Sequence, residues 1–170
     1  PPHLVPVVEV VPAPWTDGEA VDRVIELMRE IKQVPVRLTR EIDGFVLNRL
    51  QGVLLNEAWA LYEEGIASLA DIDATIAHGL GLRWSFMGPF ETIDLNAPGG
   101  IEDYAARLRD LYAGMVRTPP PGAWSDDVIQ KAAEERRAAL PADKLADRRA
   151  WRDAILGRLA AFKKSEHLTG

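Results

Sequence analysis

Three side chains are at odds with their surroundings, and each could do chemistry. Glu9 lies inside the β-branched run LVPVVEVV. A carboxylate in a buried strand is costly unless it is paired or hydrogen-bonded. Either Glu9 sits at the strand end and reaches solvent, or it orients a catalytic histidine and offsets the charge of the imidazolium. Asn48 lies about a turn into FVLNRLQGVLLNEAWAL, where asparagine is a poor helix former. Gly52, one turn later, leaves room beside it. The amide could bond a neighbouring loop at the helix start, or donate to a substrate oxygen. Arg83 stands in GLGLRWSFMGPF, a glycine-rich joint. It could answer the negative end of a helix, or fork onto a substrate carboxylate.

Other chemistries are poorly supplied. Cysteine is absent, so disulfides, thiolate metal sites and cysteine nucleophiles are excluded together. This suits a cytoplasmic protein. His3, His78 and His167 are far apart and have no partner at ligand spacing, so no metal site is expected. GxGxxG and P-loop motifs are also missing, so no cofactor-binding residues are expected in the chain. The net charge of −6, with basic residues dispersed among acidic ones, argues against a nucleic-acid partner. No run of about 18 uncharged apolar residues exists to span a membrane.

These side chains need elements to hold them. With 170 residues and 47% apolar content, the chain can build one core of ordinary size. LVPVVEVV reads as a strand covered on both faces. Thr16 with Glu19 forms a capping-box pattern, and Val21, Val24, Ile25, Met28 and Ile31 follow at helical spacing. Pro35 should stop that helix, leaving PVRL as a second strand. From Asp43 onward only helices are expected. FVLNRLQGVLLNEAWAL is apolar at 11 of 17 positions, which predicts a central, buried helix. Ser68 resembles a cap, DIDATIAHGLG should end on its glycines, and Pro89 should open a helix. IEDYAARLRDLYAGM is amphipathic. TPPPGAW reads as a linker, followed by two charged amphipathic helices. Trp59, Trp84, Trp124 and Trp151 suit a core or an interface.

Taken together, PPHLVPVVEVVPAPWT, EIDGFVLNRLQGVLLNEAWALYEEGIAS and DIDATIAHGLGLRWSFMGPFETIDLN resemble the 3-hydroxyacyl-CoA dehydrogenase superfamily. The D-G-F-x-x-N-R-L and M-G-P-F-E motifs carry the superfamily resemblance. GLGLRW and RRAWRD resemble its lambda-crystallin / L-gulonate 3-dehydrogenase branch. The implied fold is mainly α. It is a C-terminal helical domain of the 6-phosphogluconate dehydrogenase C-terminal-like type, preceded by the last strand-helix-strand of a truncated Rossmann domain. The implied boundaries are residues 1–40 for the end of the NAD-binding domain and 41–170 for a helical substrate-binding and dimerisation domain.

The resemblance also implies roles. The family's catalytic histidine lies in an H-P-x-N-P-P segment, which would put it four residues ahead of Pro1; His3 does not match it. Glu9 matches that histidine's partner, Asn48 the active-site asparagine, and Arg83 the arginine this branch uses for substrate. The histidine would take the hydroxyl proton while hydride passes to NAD, bound by a domain ahead of this chain. The implied enzyme oxidises a 3-hydroxy acid as a homodimer, and these 170 residues alone should be inactive. The alternatives are a 3-hydroxyacyl-CoA dehydrogenase acting on a thioester such as 3-hydroxybutyryl-CoA, and a non-catalytic helical dimerisation or binding module.

Overall fold

A computed structural model describes residues 4–115 and 125–166. TPPPGAW, Trp124, His3 and His167 lie outside the described residues. The chain divides into two compact units, residues 1–52 with 137–170, and residues 53–136.

The first unit opens with β1 (Val7–Val10), α1 (Gly18–Glu30) and β2 (Val34–Arg37). The strands pair in parallel, with Glu9 opposite Val36. A parallel pair needs a crossover, and α1 supplies it. Val21 and Ile25, one turn apart, are the buried residues of α1. The helix cap differs from the Thr16–Glu19 pattern. Asp17 takes the capping position and accepts from the Glu19 amide at 3.0 Å, while Thr16 accepts from Ala13. Pro35 is not what ends α1. Lys32 adopts a left-handed φ of 63°, and the Gln33 amide turns back onto the Met28 carbonyl. Pro35 instead lies within β2, opposite Val8. The valines of β1 are half-buried. The unit ends with a 3-10 turn (Ala142–Lys144) and α8 (Leu145–Ser165), none of whose residues is buried.

Helix α2 (Leu47–Glu63) begins in the first unit and ends in the second. It is not buried all round. Ala60 and Tyr62 are its buried residues, whereas Leu50 and Val53 are 64% and 71% exposed. Its apolar composition therefore marks an uncovered face rather than a core position.

The second unit contains α3 (Leu69–Thr75), α4 (Gly81–Trp84), α5 (Pro89–Leu95), α6 (Gly100–Gly114) and all but the last three residues of α7 (Asp126–Ala139). Ser68 caps α3 through the Asp71 amide at 3.1 Å, and Pro89 opens α5, both as the sequence suggests. The glycines of IAHGLG do not end the helix. A π-helical turn (Ile76–Leu80) carries it on into α4. Asp94 accepts from the Ile101 amide at 2.8 Å, fastening α5 to the start of α6. The Tyr62 hydroxyl donates to Glu135 at 2.7 Å, which ties α7 to the last turn of α2. Burial first, then the hydrogen bond and charge of Glu135, push that hydroxyl up to about 12. Trp59 meets the Tyr62 ring edge-on, and Trp84 and Trp151 are exposed.

Candidate functional site

The turn before α2 determines what Glu9 and Asn48 can do. In EIDGFVLN, the Phe45 amide donates to the Ile42 carbonyl, closing a tight turn. Gly44 has φ +77° and Phe45 φ +49°. Glycine takes the left-handed region freely, whereas phenylalanine does so at a cost of roughly 1 kcal/mol. Two residues are spent in this turn, so α2 starts at Leu47 and Asn48 falls in its first turn. The spacing puts Asn48 about a turn into the helix, and the structure keeps it in the first turn, where the poor helix propensity of asparagine matters least.

The turn aims the opening amides of α2 at β1. One Glu9 oxygen, Oε1, accepts from the Val46 amide at 2.7 Å and from the Leu47 amide at 3.2 Å. Glu9 thus neither points freely into solvent nor lies unpaired. It caps a helix 37 residues away in sequence, an interaction generally worth about 0.5–2 kcal/mol. Asn48, the next residue along, is exposed. No atom outside the helix comes within 4 Å of where a Gly52 Cβ would stand, so that side of the first turns is open. A cavity of about 340 Å³ between β1 and α1 is lined by Glu9, Val8, Val10, Val21, Val24 and Met28. The structure therefore brings Glu9 and Asn48 together at one end of α2.

Arg83 belongs to the other unit, in the last turn of α4. It is exposed. Among the described residues, no carboxylate lies within ion-pair distance of it. Its positive charge acts on Tyr104. The hydrogen bond with Tyr112 raises the Tyr104 hydroxyl above the ordinary phenol value, burial and the Tyr112 charge add to this, and Arg83 opposes it. The two hydroxyls are 2.8 Å apart and the rings are nearly parallel. No spacing in the sequence signals this tyrosine pair, nor the two amides that Glu9 holds. Among the described residues, no cluster of His, Cys, Asp and Glu could hold a metal ion, and no helix is long and apolar enough to cross a membrane.

Residues 44–140 match the family model described as 3-hydroxyacyl-CoA dehydrogenase, C-terminal domain. Residues 1–42 match the NAD binding domain of the same family. The chain belongs to the 3-hydroxyacyl-CoA dehydrogenase family. The junction of the two matches, at residue 43, falls in the turn just before α2. Among curated family relatives, lambda-crystallin of Oryctolagus cuniculus is 44% identical over 96% of this chain and 52% of its own length. A 3-hydroxyacyl-CoA dehydrogenase of Gibberella moniliformis is 40% identical over 82% of this chain and 42% of its own. An L-carnitine dehydrogenase of Pseudomonas aeruginosa is 32% identical over 98% and 52%. The chain thus spans about half the length of the curated relatives it matches. The fold also matches a solved NAD+-dependent dismutase, 5-formyl-3-hydroxy-2-methylpyridine 4-carboxylic acid 5-dehydrogenase. The TM-score is 0.76 at 24% identity, over 97% of this chain and 53% of the other.

Proposed function

We propose that these residues are part of an NAD-dependent dehydrogenase that oxidises the secondary alcohol of a free 3-hydroxy acid. Residues 1–40 would close its NAD-binding domain, and residues 41–170 would form its helical substrate domain. The observation that carries this reading is the meeting of Glu9 with the start of the Asn48 helix, in a chain of this family. Glu9 would hold the proton-accepting histidine of the family segment and offset its charge. Asn48, exposed beside it, would donate to the reacting oxygen. Arg83 would grip the substrate carboxylate, which favours a free acid over a thioester.

The dinucleotide itself does not fit the residues present. There is no GxGxxG, and Asp17 already places a negative charge on a first-turn amide of α1, the Glu19 N–H, at the end where a pyrophosphate would need it. The NAD phosphates would have to be held elsewhere in the enzyme. The test is NADH formation by an enzyme carrying the complete NAD-binding domain, offered gulonate, 3-hydroxybutyrate, carnitine and 3-hydroxybutyryl-CoA. Highest kcat/KM with a free hydroxy acid is expected. Turnover confined to the thioester would move the assignment to a 3-hydroxyacyl-CoA dehydrogenase. No turnover of any of the four would favour a non-catalytic helical module. The 170 residues alone are expected to give no heat on titration with NADH.

The same reading makes the enzyme a homodimer. Leu50 and Val53 on α2 are exposed, as are Trp151, Ile155, Leu159 and Phe162, spaced one turn apart along α8. Apolar stripes of this kind usually meet a partner surface. Sedimentation of the chain at micromolar concentration should show a dimer, and a monomer throughout the concentration range would refute the pairing.

A further inference from the structure

We propose that Glu9 is also the positioning residue for Asn48, acting through the backbone of the α2 N-terminus. This rests on the reading of both as site residues, and adds a second task for the carboxylate. Four observations converge on it. Local sequence leaves the start of α2 without a cap of its own. Val46 occupies the capping position, where its carbonyl accepts from the Leu50 amide, and the first turn has no acidic residue. Helix starts of this kind leave amide donors unsatisfied unless an outside group meets them, and Glu9 is that group.

The approach to α2 is also poorly self-supporting. Gly44 and Phe45 are both left-handed, so the turn depends on what grips its far side. The turn lies directly under the amide-bearing residue, since a Cβ on Gly44 would stand 3.8 Å from the Asn48 Cβ. Finally, Asn48 falls in the same compact unit as β1 and Glu9, residues 1–52 with 137–170. The two tasks do not compete. Oε1 receives both amides, and among the described residues Oε2 makes no hydrogen bond, so it is available to an imidazole N–H.

Glu9→Gln and Glu9→Ala separate the two tasks. Glutamine keeps an oxygen for the amides but loses the countercharge, whereas alanine loses both. Amide hydrogen exchange on this chain reads the cap without any cofactor. Protection of Val46 and Leu47 should fall at least about tenfold in Glu9→Ala and stay near the parent value in Glu9→Gln. Unchanged protection in Glu9→Ala would overturn the cap whatever the enzyme does. In an enzyme with the complete NAD-binding domain, kcat of Glu9→Ala should lie about tenfold or more below that of Glu9→Gln, because a misplaced catalytic group is expensive. That extra loss should vanish when Asn48→Ala is already present, since no amide remains to be misplaced. Equal kcat in the two Glu9 variants, or an extra loss undiminished by Asn48→Ala, would show that Glu9 does not position Asn48. If Glu9→Ala fails to fold, Glu9→Asp replaces it: the charge is kept, one methylene of reach is lost, and the same amides should lose protection. Failure of the dehydrogenase reading would leave the exchange result intact, so the two can be told apart.

Discussion

Arg83→Ala, in an enzyme with the complete NAD-binding domain, should raise KM for a free hydroxy acid by roughly 30- to 1000-fold while leaving KM for its ester within a few-fold. The factor corresponds to about 2–4 kcal/mol, the usual cost of losing a charge-assisted contact to a carboxylate. The expectation follows from how little else the guanidinium does. Arg83 is exposed, and among the described residues it has no carboxylate in reach. Its backbone carbonyl, not its side chain, closes the turn onto Phe86 and Met87. Truncation should therefore leave the fold in place and remove a charge that waits for a partner. Lysine should restore the free-acid preference only in part, because an ammonium cannot fork onto both oxygens. If acid and ester lose equally, Arg83 serves the helix end and not the substrate.

Asn48→Ala should lower kcat by about 10²–10³-fold with little change in thermal stability. Removing one preorganised donor to a reacting oxygen typically costs this much. Stability should be spared because Asn48 is exposed and the helix start is capped by Glu9 rather than by the asparagine. Asn48→Asp is the sharper control, since it keeps shape but replaces a donor with an acceptor. It should be at least as damaging as alanine. Full activity in Asn48→Asp would remove the amide from the chemistry.

Local signals were legible wherever neighbours in sequence decide the outcome. Ser68 and Pro89 open their helices through bonds and torsions confined to a few residues, and both open where the pattern indicates. The strand-helix-strand of residues 7–37 follows from β-branching and spacing for the same reason. Asp17 displaced Thr16 as a cap because both side chains fit that corner and only geometry chooses between them. The α2 helix misled because composition reports how apolar a surface is, not what covers it. Glu9 was conspicuous as a carboxylate among valines, yet the group it binds lies 37 residues on. No periodicity connects a strand to backbone amides that far away. Tyr104 and Tyr112 were invisible for a related reason, since tyrosines two turns apart on an amphipathic helix read simply as packing.

The π-helical turn Ile76–Leu80 bears on how this site could change. The turn holds one residue more than the α-helical repeat, and so absorbs the roughly 100° that an extra residue would otherwise add downstream. Gly81 accommodates the widened backbone, because a Cβ there would stand only 2.8 Å from the Ile76 carbonyl oxygen. Arg83 follows two positions later. The direction in which the helix presents residue 83 thus depends on whether the extra residue is absorbed, not on the count of residues alone. Loss of a single codon within this turn would let the segment close as plain α-helix and leave Arg83 facing nearly as before. A one-residue length difference between relatives at this turn is therefore no sign of a reoriented arginine.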